Sequence, residues 1–366
     1  MDPISTPLLA ASQKEQEYDG CIAITCGNSP YINVYPFTRA SGFGTKYSNP
    51  STLPNSGTFQ ARSVIFTTDG TVIAWPSNTA ASPANLFFYS WSKATGFGAR
   101  ITQTSGPTAS NLYASATTKP SEYGGGWHYI LFGGSDGLIW RYHVASGSAI
   151  NQVNTKSTGA GGYTATGDLR FSNAGNYVLG SVGSNTRVYP WTDGWLSTTV
   201  NLGTPLDGSY LGSSAWFLND WHPSDTVVIV GSTGSTAGLR AFNFSGGWGA
   251  LINNATSPMA NLESVRFSAT GKTVFTSGTD SPYLEAYAFN QITGFGSKFS
   301  NPSTLPPGPS YTVAVSKTND LVAVSSTTSP YVAVYPWNDS TGFGVKYSDP
   351  AAVIPGTLGS YSLAFM

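Results

Sequence analysis

The chain of 366 residues is 40% hydrophobic and 13% aromatic yet only 10% charged, with a formal net charge of −1. Soluble domains usually carry about a quarter charged residues, so this surface is built from Ser, Thr, Asn and Gly, and the scattered Lys and Arg form no basic stripe of the kind that binds nucleic acid. No apolar run approaches the ~20 residues of a membrane-crossing helix, which argues against membrane insertion, and Cys21 and Cys26, the only cysteines, are too far apart along one extended strand to bridge.

Met1 to Tyr18 stands outside the pattern that follows. Met1-Asp2-Pro3-Ile4 has no basic leader and Leu8-Leu9-Ala10-Ala11 is shorter than a secretory core, so ordinary signal-directed export is not expected. The segment reads as a frayed leader or as an arm that anchors on another protein. From Asp19 onward a repeat takes over and runs to Met366 without a linker. Its first copy carries Ser29-Pro30-Tyr31-Ile32, Tyr35-Pro36-Phe37, Gly42-Phe43-Gly44 and Lys46-Tyr47-Ser48-Asn49-Pro50. The same cassette returns at Ser281-Pro282-Tyr283 with Gly294-Phe295-Gly296, and at Ser329-Pro330-Tyr331 with Tyr335-Pro336-Trp337 and Gly342-Phe343-Gly344. Weaker copies are centred on Gly96, Gly147, Gly194 and Gly247.

Those glycines serve as a ruler. The spacing from Gly42 to Gly342 over six intervals averages (342 − 42)/6 = 50 residues, the length of a four-stranded propeller blade with its connections. Each copy begins with a strand such as Ser63-Val64-Ile65-Phe66, Asp168-Leu169-Arg170-Phe171 or Ser264-Val265-Arg266-Phe267. A tight turn (Asp69-Gly70, Asp136-Gly137, Thr270-Gly271) and a second apolar strand follow. The third strand places two large residues two positions apart: Tyr35/Phe37, Tyr89/Trp91, Tyr142/Val144, Tyr189/Trp191, Phe242/Phe244, Tyr287/Phe289 and Tyr335/Trp337. Period two puts both on one sheet face, where they are expected to pack between blades. Ser360 to Phe365 reads as a first strand with nothing after it, and Asp19 to Ile24 as a second strand with nothing before it. The expected fold is therefore all-β: a single seven-bladed β-propeller of four-stranded antiparallel blades over residues 19–366, closed by N- and C-terminal strands that share one blade.

Chemistry is harder to find in the sequence. His128, His143 and His222 bear no metal-ligand spacing to one another. Asp69, Asp136, Asp225 and Asp320 fall at equivalent turns, where bonds to local backbone explain them. No helix follows the Gly-Phe-Gly loops, so they are not phosphate cradles. No catalytic, cofactor-binding or metal-ligating set is expected on this reading. Trp221, His222 and Trp127 are the candidate contacts for a partner or a glycan, because they lie in blades whose cassette has drifted.

The Ser-Pro-Tyr, Val-Tyr-Pro-Trp/Phe and Gly-Phe-Gly-x-Lys-Tyr-Ser-Asn/Asp-Pro strings resemble WD40-like repeats of structural proteins of tailed bacteriophages. The Trp-Asp pair of ordinary WD40 repeats is absent. The resemblance implies a non-enzymatic virion component made in the host cytoplasm: a head decoration, tail adaptor or fibre-like module whose partners are other capsid or tail proteins. A carbohydrate-binding propeller that recognises host-surface glycans is the alternative.

Overall fold

The structure, a computed structural model, describes residues 19–53, 63–76, 86–102, 117–120, 126–133, 138–145, 151–157, 166–182, 185–192, 195–196, 217–232, 238–256, 258–351 and 360–366. The arm expected at residues 1–18 lies outside them. Among the described residues every regular element is a β-strand, and the strands form seven four-stranded antiparallel sheets. Blades are numbered here by their glycine markers, from Gly42 in blade 1 to Gly342 in blade 7.

Blade 1 closes the ring. Its inner strand is the C-terminal Ser360–Phe365, paired with Asp19–Cys26 in the register Ile22↔Phe365 and Ala23↔Ala364, followed outward by Ile32–Thr38 and Gly42–Phe43. Met366 N–H donates to Cys21 O at 3.0 Å, and Trp91 Nε1 in blade 2 reaches the Met366 sulfur at 3.1 Å, so the last residue also ties blade 1 to its neighbour. The inner strands of all seven blades touch their neighbours in ring order and return to the start, which makes them the wall of a central channel. No sheet edge is left unpaired at the seam of the chain ends.

The core is divided among the seams between blades. Seven clusters of buried side chains each draw on two adjacent blades, one cluster per seam. The paired third-strand aromatics sit in them: Tyr35, Phe37, Tyr89, Trp91, Tyr189, Trp191, Tyr287, Phe289, Tyr335 and Trp337 are all buried.

The cassette has a geometric cause at three seams. Its Tyr or Phe, at Tyr47, Phe299 and Tyr347, swings out of the fourth strand and packs edge-on against the next blade's third-strand aromatic, Trp91, Trp337 and Phe37, at centroid distances of 5.1, 5.1 and 5.0 Å. Edge-to-face pairs of this kind add about 0.5–1.5 kcal/mol beyond burial. Tyr47 Oη then donates to Lys93 O and Tyr347 Oη to Arg39 O. The receiving surface is Gly96, Gly342 or Gly42, where φ lies between 73° and 83° and an added Cβ would meet the incoming ring at 2.9–3.3 Å. Only glycine meets both demands at little cost.

At the other seams polar fasteners replace this aromatic latch. Ile101 stands where Tyr47 stands in blade 1, as its N–H bond to Phe88 O shows. Between blades 2 and 3, His128 Nε2 lies 3.0 Å from Asp69 Oδ2. Between blades 3 and 4, Lys119 donates to Gly175 O at 3.2 Å. Between blades 4 and 5, the Asp225 carboxylate accepts the Asn173 and Ala174 N–H groups at 2.6 and 2.7 Å. Between blades 5 and 6, Asn253 Oδ1 accepts the Phe295 N–H at 2.8 Å and Asn253 Nδ2 donates to Phe295 O at 2.9 Å, beside Gly294. The drift of the repeat in blades 3 to 5 is thus partly an exchange of one fastener for another.

Candidate functional site in the central channel

The inner strands align through their pairing, and one position stands out. The residue one before the end of each register is half-buried: Ala364 in blade 1, Ile65 in blade 2, Arg170 in blade 4, Asp220 in blade 5, Arg266 in blade 6 and Ala314 in blade 7. Charge is confined to three consecutive blades, and small or apolar residues fill the described positions elsewhere. Asp168, on the same side of blade 4's inner strand Thr166–Phe171, adds a second carboxylate.

These four side chains are brought together although they lie up to 98 residues apart in the chain. Arg266 Nη1 reaches Asp168 Oδ2 at 3.0 Å and also donates to Val265 O. Arg170 approaches Asp168 Oδ1 at 3.9 Å. Asp220 accepts the Phe267 N–H at 2.8 Å, which fixes its carboxyl against blade 6. On the other side Asn219 Nδ2 donates to Asp168 O at 3.3 Å and Trp221 Nε1 to Arg170 O at 3.2 Å, which fasten the inner strand of blade 5, Phe217–Trp221, to that of blade 4. The cluster is therefore held by main-chain contacts on both flanks, and its side chains have little freedom to move apart.

Burial sets its electrostatics. The Asp168 carboxyl, 13% exposed, is pushed up to about 6 by loss of hydration, against the pull of Arg170. Asp220 is pushed up to about 7, again by burial first; Arg170 and the Phe267 N–H oppose this, and the negative charge of Asp168 adds to it. Near neutrality Asp220 thus passes readily between acid and conjugate base, with a fixed guanidinium beside it. Such an arrangement can move a proton and stabilise a developing oxyanion in one place.

The residues singled out from the sequence are placed elsewhere and are not brought together. Trp221 is buried between blades 4 and 5, edge-on to Phe244 at 4.9 Å. His222 turns to the opposite seam, against Phe267 and Gly271, with Nδ1 2.7 Å from Ser224 Oγ, and burial lowers its pKa. Trp127 lies on blade 3 against His143, at 4.6 Å. Among the described residues no group of three or more His, Cys, Asp and Glu is placed to hold a metal ion.

Neither any family model nor any curated protein matches the sequence. Solved structures do match the fold over nearly its whole length. A protein assigned as a 6-phosphogluconolactonase from Bacteroides fragilis superposes with a TM-score of 0.71 at 12% identity, over 97% of this chain and 99% of that one. The periplasmic gluconolactonase of Pseudomonas aeruginosa gives 0.67 at 13% identity, over 95% and 99%. The Sqt1 propeller of Chaetomium thermophilum, solved with the N-terminus of ribosomal protein L10, gives 0.61 at 14%, over 91% and 89%. The fold is a seven-bladed propeller with lactonase-like and WD40-like neighbours.

Two expectations are corrected here. The sequence reading of a non-enzymatic virion component is overturned: the similar structures include propellers named as gluconolactonases, and the fold neighbours described carry no phage link. Its premise, that no acids converge, fails for a physical reason. Asp168 and Asp220 are not turn residues but inner-strand residues, and the ring places inner strands of successive blades side by side. A signal was present in the sequence: Arg170 and Arg266 occupy a slot that reads Ile65 and Ala314 in other copies.

Proposed function

We propose that this protein is a hydrolase that opens a small sugar-derived lactone in the central channel. The observation that carries this reading is the Asp168–Arg170–Asp220–Arg266 cluster, which joins a carboxyl that titrates near neutrality to a guanidinium in a confined space. Likeness to propellers named for gluconolactone hydrolysis supports the choice of substrate class.

The chemistry follows from the arrangement. Ionised Asp220 takes a proton from water, and the oxygen forms a bond to the lactone carbonyl carbon. The carbonyl oxygen gains the electron pair of its π bond and is stabilised by Arg170. When the carbonyl re-forms, the ring C–O bond breaks and the departing alkoxide takes the proton back from Asp220, leaving a ring-opened acid. Arg266 positions Asp168, whose charge keeps Asp220 basic enough for the first step. Glucono-δ-lactone and its 6-phosphate, followed with a pH indicator, give the test. The wild-type protein is expected to exceed the spontaneous rate, and Asp220→Asn to lose about 10²–10⁴-fold of that excess, the usual contribution of a general base. No acceleration by the wild type, or an Asp220→Asn variant of full activity, would remove the reading.

A further inference from the structure

Arg170 is held only loosely by the carboxylates around it. Arg266 holds Asp168 at 3.0 Å, whereas Arg170 meets its nearest carboxylate oxygen only at 3.9 Å, and its buried Nε has no hydrogen-bond partner. A guanidinium that is only 23% exposed is costly to leave so weakly matched. The corresponding positions in blades 1, 2 and 7, Ala364, Ile65 and Ala314, carry no charge.

We infer that the channel binds a small anion-bearing molecule, a sugar carboxylate or a phosphate monoester, seated on the Arg170 guanidinium and taken up together with one proton. The inference shares its site with the hydrolase reading and names the class of molecule that site receives. A planar guanidinium presents paired donors that fit a carboxylate or phosphate edge. The proton follows from competition. Arg170 is the cation that opposes burial of both Asp168 and Asp220. An arriving anion takes a share of that cation and repels Asp220, which then binds a proton. The charged groups on strands packed around Asp220 are Asp168 and Arg170 on blade 4's inner strand, Arg187 on its third strand, and Glu263 and Arg266 on blade 6's inner strand. Blade 5's own second strand, Val227–Ser232, brings none.

Calorimetric titration with gluconate, 6-phosphogluconate and inorganic phosphate, with glucose as the uncharged control, tests this on the full chain. At least one anion is expected to bind and glucose not to. Affinity should fall as pH rises above about 7, by up to tenfold per unit where one proton is linked, and buffers of different ionisation enthalpy should report proton uptake. Arg170→Gln should abolish binding, and Arg170→Lys should keep the charge but weaken binding through loss of the fork. Asp220→Asn should bind the same anion with that pH dependence removed. Binding of 6-phosphogluconate and phosphate without gluconate would assign Arg170 to the phosphate, and gluconate binding to the carboxylate. The inference is overturned if the wild type binds none of the three anions, if Arg170→Gln binds as tightly, or if Asp220→Asn keeps the wild-type pH profile. Anion binding without lactone turnover would leave it standing while the hydrolase reading falls; turnover without anion binding would do the reverse.

Discussion

Asp220→Asn should make the protein more stable at neutral and alkaline pH. The native carboxyl titrates at about 7 against an ordinary value of 3.8, so folding raises its proton affinity by about three units. At 1.36 kcal/mol per unit the ionised form would disfavour the native state by ~4 kcal/mol; water reaching a channel side chain reduces this to about 2–4 kcal/mol. The sign is fixed by which state holds the proton. Below about pH 4 Asp220 is protonated in both states and Asn offers no advantage; the gain grows as pH rises and is complete above about pH 7. Asparagine keeps an oxygen to accept the Phe267 N–H, now at 2.8 Å, so no new unsatisfied group is created. Against a total stability of about 5–15 kcal/mol the change is large. Urea denaturation of both proteins at about pH 4 and pH 8 should give coincident midpoints at the first and a higher midpoint for the variant at the second. A variant less stable than wild type at pH 8, or equally favoured at both pH values, would refute the account of Asp220 as a carboxyl confined against its hydration.

Two further outcomes test the frame around the site. Removing Ser360 to Met366 takes away blade 1's inner strand and leaves its Asp19–Cys26 edge open; size-exclusion chromatography and light scattering should show association or aggregation, and a monomer of unchanged melting would argue against closure through the chain ends. Asp69→Asn tests the fastener between blades 2 and 3. Burial pushes the Asp69 carboxyl up, but hydrogen bonds from Thr67, Thr71 and His128 outweigh it and hold it at about 2. A depressed carboxylate contributes stability above its ordinary range and loses it as pH falls toward its folded value. The variant should melt below wild type at neutral pH, with the gap closing between about pH 4 and pH 2.

What could be read from the chain, and what could not, follows from how each feature is encoded. Blade number and closure depend on local events that recur: a glycine at positive φ, an aromatic pair at period two, a Tyr that leaves the fourth strand. Each copy repeats the same signal, so Gly42, Gly96, Gly294 and Gly342 report the same geometry four times over. The channel cluster has no such redundancy. It depends on which side of an inner strand faces the axis and on which blades are neighbours, and neither is visible in one unit alone. Of the aspartates at the turns, Asp69 accepts a local backbone N–H as expected, whereas Asp320 bonds to the Ser316 hydroxyl and Asp225 reaches across to the backbone of blade 4. The same expectation, extended to every acid, concealed Asp168 and Asp220. Trp221 and His222 are both buried: Trp221 fills the inner-strand aromatic slot that Phe66 and Phe267 fill in other blades.

The distribution of these features divides the ring into two parts. The seams at blades 1–2, 6–7 and 7–1 are closed by the same aromatic latch on glycine, so their sequences are tightly constrained by geometry. Blades 4 and 5, with blade 6 beside them, use other fasteners and also carry the channel charges. A buried carboxyl pair opposed by guanidiniums costs stability that a rigid closed ring can sustain, because neighbouring inner strands on both flanks prevent the cluster from relaxing into solvent. Strictness of the repeat and the channel charges are nonetheless separable: blade 6 keeps the Gly294-Phe295-Gly296 cassette and its latch on blade 7 while its inner strand carries Arg266, because the latch uses the outer strands and the cluster the inner ones.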